Sequence, residues 1–206
     1  ADVIETRAVP VPVTLSDRRT VHNLLVSSAD TEGLSSRLRD LSDQYGVDIA
    51  LQPRAARCQS YRLAVFDMDS TLIDCEVIDE LAAQAGVGEA VAEITAQAMR
   101  GELDFDESYR TRLALLADLD ARAVNELADR LPVKEGLREM TTTLKAQGLK
   151  LAIVSGGFMP IAERLQVDYG FDEVVANTLE VASGKVTGRA VPPIVTREHK
   201  AAALQA

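Results

Sequence analysis

The sequence has few of the residues that mark several large protein classes. It contains no Trp and only 4% aromatic residues, and two cysteines, Cys58 and Cys75, are too few for a disulfide framework. Its net charge is −10, and its Lys and Arg residues are scattered instead of forming the basic face that nucleic-acid binding needs. No apolar run approaches the roughly 18 residues of a membrane span, and no signal pattern opens the chain. These absences argue against nucleic-acid and membrane partners and indicate a reduced, cytoplasmic setting.

The apolar fraction of 47% is enough for a core, and the first 58 residues form a zone of their own. Its predicted elements are an extended, Pro-containing lead at residues 9–12, a strand at 21–26, a helix carrying Leu34, Leu38 and Leu41 that stops at Gly46, and a strand at 47–51. This order resembles part of an ACT-like regulatory fold, and a plain interaction domain is the simpler interpretation. Residues 53–60 would serve as a linker.

The next zone is almost entirely helical in pattern. Candidate helices cover residues 76–85, 89–100, 106–116 and 121–130, with breaks at 86–88, at Gly101 and at 118–120. Because these helices follow a strand that ends in acidic residues, we expect residues 76–131 to form a four-helix cap over that strand's end.

From residue 132 onward, helical and strand patterns alternate. The predicted elements are a helix at 135–147, a strand at 149–154, a helix at 159–169, strands at 174–175 and 179–181, a hairpin turn at Gly184, a strand at 186–191 and a helix from Thr196. Such alternation predicts an α/β fold with a doubly wound parallel sheet and helices on both faces. Residues 59–75 and 132–206 would form this core.

Two acids, Asp67 and Asp69, follow the short apolar run at residues 63–66. Carboxylates this close repel each other unless a cation or a shared proton relieves them. The pair suits a metal-assisted reaction in which one carboxylate attacks and the other moves protons. Backbone N–H groups in the turn at Ser70 and Thr71 could bind an anion. A solvated acidic loop is the alternative for a bare acid pair.

Further candidates lie at the end of another strand, near the C-terminus and in the predicted cap. Ser155 and Gly156 offer a hydroxyl and free backbone N–H groups to a phosphate, and Lys200 offers a point charge. Glu76 and Arg112 would suit the amine and the carboxylate of one small substrate. Taken singly, the serine and glycine could be an ordinary turn, and each charged residue could be a surface charge.

Together these residues are similar to the phosphoserine phosphatases of the haloacid dehalogenase superfamily. The similarity begins near Arg62 and rests on Phe-Asp-Met-Asp-Ser-Thr-Leu at 66–72, Ala-Met-Arg-Gly-Glu-Leu-Asp-Phe at 98–105, Ile-Val-Ser-Gly-Gly-Phe at 153–158 and Ala-Asn-Thr-Leu-Glu at 176–180. The resemblance implies a haloacid dehalogenase-like core with a helical cap. It also implies a substrate, phosphoserine, and a cofactor, Mg²⁺.

The resemblance implies a role for each matching residue. Asp67 would be the nucleophile that forms an aspartyl-phosphate, and Asp69 would be the general acid and then the base. Both would bind the metal, Asp69 through its backbone carbonyl. The residues expected to contact substrate are Glu76, Met99, Phe105, Arg112, Ser155, Gly156 and Lys200. Met99 and Phe105 would close the pocket from the cap.

The sequence departs from the family pattern after Lys200. Members of the family continue to a Gly-Asp-Gly-x-Asn-Asp motif with further metal ligands, whereas this sequence stops at Ala206. It also begins with Ala and not Met. We therefore expect a trimmed product that lacks the C-terminal part of the core, with lower affinity for Mg²⁺.

The resemblance implies hydrolysis of O-phosphoserine to serine and inorganic phosphate, the last step of serine biosynthesis. Transfer of the phosphoryl group to an alcohol such as homoserine is an alternative. A non-catalytic fragment that senses an amino acid through its N-terminal domain is another. The sequence leaves the oligomeric state open, a homodimer included.

Overall fold

A computed structural model describes residues 2–9, 20–28, 30–57 and 61–203, and it divides the chain into two compact units, 1–60 and 61–206. The predicted lead at 9–12 lies outside these residues after Val9, and Cys58 also lies outside them. None of the helices in the described ranges has the length and apolar character that a membrane crossing requires.

The first unit contains an antiparallel strand pair and one long helix. Strands β1 (Asp2–Val9) and β2 (Val21–Ser27) pair, and helix α1 (Thr31–Tyr45) follows. The Asp30 side chain accepts from the Gly33 N–H at 2.8 Å and caps the start of α1. Gly46, at φ 61°, ends it in the left-handed conformation. The predicted strand at 21–26 and the helix stop are confirmed, whereas β1 was missed.

The predicted strand at residues 47–51 is wrong. The structure places these residues outside any strand, and Val47, Ile49 and Leu51 are exposed. Their alternation suggested one buried face, but a strand also needs a neighbour with which to form hydrogen bonds. A single helical turn, α2 (Arg54–Arg57), occupies part of the predicted linker. The ACT-like assignment stays a prediction.

The second unit begins with the strand β3 (Leu63–Phe66). Four helices follow: α3 (Val77–Gln84), α4 (Gly88–Met99), α5 (Phe105–Ala114) and α6 (Arg122–Asp129). Each predicted cap helix is confirmed to within two residues at either end. The chain turns between them at positions with positive φ, Gly86, Gly101 and Asp118.

The chain then alternates between helix and strand, as predicted. Helix α7 (Leu137–Ala146), strand β4 (Lys150–Phe158), helix α8 (Met159–Tyr169) and strand β5 (Glu173–Asn177) follow in order. Among the described residues, the strands form a three-stranded parallel sheet in the order β3-β4-β5. The prediction of an α/β fold with a parallel sheet is confirmed, and the carboxyl ends of all three strands meet at one edge.

An antiparallel hairpin completes the unit, followed by a final helix. Strands β6 (Leu179–Ala182) and β7 (Lys185–Ala190) are joined by Ser183 and Gly184, both with positive φ, as a two-residue hairpin loop requires. The Asp118 N–H donates to the Val186 carbonyl at 3.0 Å, which ties the hairpin to the end of the cap. Helix α9 (Arg197–Ala203) then carries Lys200.

The core of the second unit lies between the sheet and the helices. Side chains with no exposed surface come from the turn after β3, from the cap, from the sheet and from α8: Met68, Leu81, Leu113, Leu151, Ile153 and Ile161. Because Met68 directly follows Asp67, burial of its side chain fixes the backbone between the two acids.

Candidate active site

The Asp67 carboxylate lies at the carboxyl end of β3 and is bound on both sides. Its Oδ1 accepts from the Met68 N–H at 2.9 Å, and its Oδ2 accepts from the Lys200 Nζ at 2.5 Å. Both side chains keep part of their surface exposed, 47% for Asp67 and 31% for Lys200. A lysine so placed can neutralise charge on the carboxylate and on an anion that approaches it.

The turn after β3 is held by the Met68 carbonyl, which accepts from the N–H groups of Thr71, Leu72 and Ile73 at 2.8–3.3 Å. Ser70 adopts a left-handed conformation, φ 57°, in this turn. Such a backbone is costly for a residue other than Gly and is held by its surroundings. The Ser70 hydroxyl donates to Glu76 Oε1 at 2.8 Å and thereby orients the acid that precedes α3.

The Asp69 carboxyl is the most perturbed acid in the site. Burial, helped by the neighbouring carboxylates of Glu76 and Asp67, raises its pKa to about 6, although a hydrogen bond from the Val77 N–H at 3.2 Å and the charge of Lys200 act in the opposite direction. A carboxyl group with such a pKa can hold a proton and release it near neutral pH. Asp69 therefore has the properties of an acid–base group.

The Ser155–Gly157 segment bulges out of the sheet beside the acids. Val154 pairs with Val175 and Phe158 pairs with Asn177, so that three residues of β4 stand opposite one residue of β5. A Cβ on Gly157 would lie 2.6 Å from Asp69 Oδ2 and against the Met68 side chain. A side chain at position 157 would therefore displace the Met68 or Asp69 side chain, and glycine lets this loop approach the acid pair without that displacement.

Helix α5 supplies the opposite wall through an aromatic stack. The rings of Phe105 and Tyr109 are parallel with centroids 6.4 Å apart, and Tyr109 is also 6.4 Å from the ring of Phe158. Tyr109 is 2% exposed, and burial raises its pKa to about 12. Arg112 is half-buried one turn further along α5, and its Nε donates to the Ser108 carbonyl at 3.3 Å.

These residues enclose a cavity of about 190 Å³. It is lined by every predicted site residue except Met99: Asp67, Asp69, Glu76, Phe105, Arg112, Ser155, Gly156 and Lys200. Met99 ends α4, does not line the cavity and is 85% exposed. Its role in closing the pocket therefore stays a prediction. The predicted residues from five separate segments are thus brought together.

The cavity also contains residues that the sequence analysis did not select as site residues: Ile78, Tyr109, Gly157 and Phe158. Tyr109 follows Phe105 by four residues, a spacing that places both on one face of a helix. Gly157 and Phe158 belong to the same loop as Ser155. Helical spacing and loop continuity could therefore have identified three of them.

The residues that could hold a cation are the two acids after β3. Among the described residues, no group of three or more His, Cys, Asp or Glu side chains is arranged around a metal position. Mg²⁺, however, commonly binds one or two carboxylates, several waters and the phosphate of a substrate. Burial and, to a smaller extent, the charges of Glu76 and Asp67 raise the pKa of Asp69, and a cation would relieve the charge repulsion, so this donor set fits such a partly hydrated ion.

Known proteins resemble the chain over most of its length. The family of haloacid dehalogenase-like hydrolases matches residues 64–206. The chain is 44% identical over 180 residues to the phosphoserine phosphatase of Streptomyces coelicolor. The aligned residues cover 87% of this chain and 44% of that protein. The chain spans about half the length of the curated relatives that it matches.

Two solved structures resemble the chain. A haloacid dehalogenase family hydrolase from Salmonella enterica serovar Typhi is 30% identical with a TM-score of 0.82, over 97% of this chain and 68% of that one. A phosphoserine phosphatase that holds an analogue of its phospho-aspartyl intermediate is 39% identical with a TM-score of 0.66, over 71% and 70% of the two chains.

Proposed function

Because the chain belongs to the haloacid dehalogenase-like hydrolases, we propose that it hydrolyses O-phosphoserine to serine and inorganic phosphate. One observation carries the proposal. A single small cavity presents the Asp67–Lys200 pair together with Glu76 and Arg112, so that a phosphate, an amine and a carboxylate could be bound at once.

The phosphate would be bound between Asp67, Lys200 and the Ser155–Gly157 loop. An Asp67 carboxylate oxygen attacks phosphorus, the bond from phosphorus to the serine oxygen breaks, and an aspartyl-phosphate forms. Lys200 and the loop N–H groups stabilise the charge on the phosphoryl oxygens. The phospho-aspartyl analogue in the related phosphoserine phosphatase supports this route.

Asp69 would donate a proton in the first step and accept one in the second. In its protonated form it donates to the departing serine oxygen, and the resulting carboxylate then accepts a proton from the water that hydrolyses the aspartyl-phosphate. The raised pKa of about 6 supports this assignment, because a carboxyl group with its ordinary pKa would rarely be protonated at neutral pH.

The serine part of the substrate would be bound by the cap and by the start of α3. Arg112 would pair with the carboxylate, and Glu76, held by Ser70, would pair with the amine. The small volume and the aromatic wall of Phe105 and Tyr109 favour a short side chain over a phosphorylated peptide.

The Asp67 carboxylate and the Asp69 backbone carbonyl would hold Mg²⁺ together with a phosphate oxygen and water. The bound ion would neutralise negative charge on the transferring phosphoryl group. Production of serine in this way would be the last step of its biosynthesis. A cytoplasmic location, a homodimer and an amino-acid ligand on the first unit stay predictions.

The test is the release of phosphate and serine from O-phosphoserine by the 206-residue chain in Mg²⁺ buffer, with and without added homoserine. Equal amounts of serine and free phosphate, unchanged by the alcohol, are expected. Phosphorylated homoserine in place of free phosphate would indicate a phosphotransferase. No turnover would contradict a catalytic role for this chain.

A further inference from the structure

Asn177 is a buried polar residue beside the cavity, and it is not among the residues that line it. It ends β5 and is 1% exposed. Its Nδ2 donates to the Gly156 carbonyl at 2.7 Å, and its Oδ1 accepts from the Val195 N–H at 2.8 Å. One side chain thus joins the bulged loop of β4 to the segment that leads into α9.

The chemistry of this bridge requires a primary amide. The Gly156 carbonyl can only accept and the Val195 N–H can only donate, so the orientation of the Asn177 amide is fixed by its two partners. A carboxylate would keep the acceptor but place charge against a carbonyl oxygen. An apolar side chain of similar size would leave both backbone groups buried without partners.

The two segments that Asn177 joins are those that present the proposed phosphate ligands. Gly156 lies between Ser155 and Gly157 in the loop beside Asp69. Val195 lies five residues before Lys200, whose N–H donates to the Thr196 carbonyl at 2.9 Å in the first turn of α9. The Val195 carbonyl oxygen is also 3.6 Å from where a Gly156 Cβ would lie, so the two segments are in contact.

We infer that Asn177 is a positioning residue for the phosphate site. Its amide holds the Ser155–Gly157 loop at a fixed distance from the segment that leads into α9 and carries Lys200. The loop and the lysine can therefore contact the same phosphate. Because a displacement of about 1 Å can cost on the order of 10²-fold in rate, a bridge without substrate contact can control the site. This inference rests on the proposed function only in requiring that the cavity binds a phosphate.

The test measures binding of inorganic phosphate to the full chain by isothermal titration in Mg²⁺ buffer, for wild type, Asn177→Asp and Asn177→Leu. Thr141→Val is the matched control, because Thr141 is also a buried polar residue, 2% exposed, whose hydroxyl donates to the Arg138 carbonyl away from the cavity. Unfolding in urea is measured for each protein, so that binding is compared only where the chain is folded.

Both Asn177 variants are expected to bind phosphate about tenfold more weakly or worse while folded. Thr141→Val is expected to lose stability and to bind phosphate within about twofold of wild type. Asn177 variants that bind phosphate as wild type does would reduce the residue to a structural role and overturn the inference. So would a wild-type chain that binds no phosphate.

The same titrations, together with assays of phosphate-ester hydrolysis, separate this inference from the proposed function. A wild-type chain that binds phosphate and hydrolyses p-nitrophenyl phosphate, but not O-phosphoserine, would refute the substrate and leave the role of Asn177 to be decided by its variants. If phosphoserine is hydrolysed and the Asn177 variants bind phosphate normally, only the inference fails.

Discussion

The Lys200 Nζ lies 2.5 Å from Asp67 Oδ2, although the two residues are 133 positions apart in the chain. The contact brings the first strand of the sheet and the last helix to one point. An isolated surface pair of this kind contributes little to stability, because both partners are well solvated in the unfolded chain. Its place in the cavity with Asp69 and Ser155 indicates a use in binding and catalysis.

Replacing Lys200 should therefore reduce activity more than stability. Lys200→Met keeps the length of the side chain and removes its charge, and we expect kcat/KM for O-phosphoserine to fall by roughly 10²-fold or more, because charge on the phosphoryl group is no longer stabilised. Steady-state kinetics and urea unfolding measure the two effects. Lys134→Met is the control, since Lys134 pairs with Asp74 outside the cavity lining. Equal effects of the two substitutions on kcat/KM would contradict the assignment.

Replacing Arg112 should weaken recognition of the substrate carboxylate. Loss of a charged hydrogen bond costs about 1.5–3 kcal/mol, so Arg112→Ala should raise KM for O-phosphoserine by roughly 10- to 100-fold with a smaller change in kcat. Phosphoethanolamine lacks the carboxylate, so wild type and Arg112→Ala should hydrolyse it with similar KM and kcat. Arg110→Ala on the same helix is the control, because Arg110 pairs with exposed Asp106. A similar rise in KM for both substrates would show that Arg112 does not bind the carboxylate.

Gly157 should tolerate no side chain. The added Cβ of Gly157→Ala would meet Asp69 Oδ2 at 2.6 Å, so either the loop or the acid must move. We expect a loss of about 1–3 kcal/mol in the free energy of unfolding and a fall in kcat. In Gly88→Ala the new Cβ would lie 3.7 Å from its nearest neighbour, and this variant should retain stability and activity. Full activity of Gly157→Ala would mean that Asp69 and the loop are not held together as described.

Asp172 should make stability depend on pH. Its carboxylate accepts from the Leu151 N–H and from Lys150 Nζ, each at 2.9 Å, and these bonds lower its pKa to about 2. Because the folded pKa lies below the unfolded value of about 3.9, the stabilisation is complete above about pH 4 and is lost as the pH falls towards 2. Asp172→Asn should be less stable than wild type by roughly 1 kcal/mol at pH 7. Urea unfolding of the two proteins should converge near pH 2, and a constant difference would contradict the account.

Much of the site could be predicted because parallel strands end at a common edge. Asp67 follows one apolar run and Ser155 ends another, so strand patterns are consistent with their closeness, although the family resemblance was what joined them in one predicted site. The cap helices were predictable from the breaks between them, at 86–88, at Gly101 and at 118–120. Met99 lies at the end of α4 and is largely exposed, and its contact with the substrate stays a prediction.

Features that depend on distant contacts could not be predicted. The apolar alternation at residues 47–51 does not show whether a partner strand exists, and the structure places no strand there. Asn177 lies in one of the segments that resemble the family, but the sequence gives it no role, since its two partners, Gly156 and Val195, are 21 and 18 residues away. Tertiary packing alone makes that amide a bridge.

The proposed mechanism depends on transfer of the phosphoryl group from O-phosphoserine to the Asp67 carboxylate. The most direct measurement is acid quenching of the chain during turnover of ³²P-labelled O-phosphoserine, followed by mapping of the label by peptide mass spectrometry. We expect ³²P label on the peptide that contains Asp67 in wild type and no label in Asp67→Asn. This variant should also release no phosphate. Turnover by Asp67→Asn, or label on another residue in wild type, would contradict it.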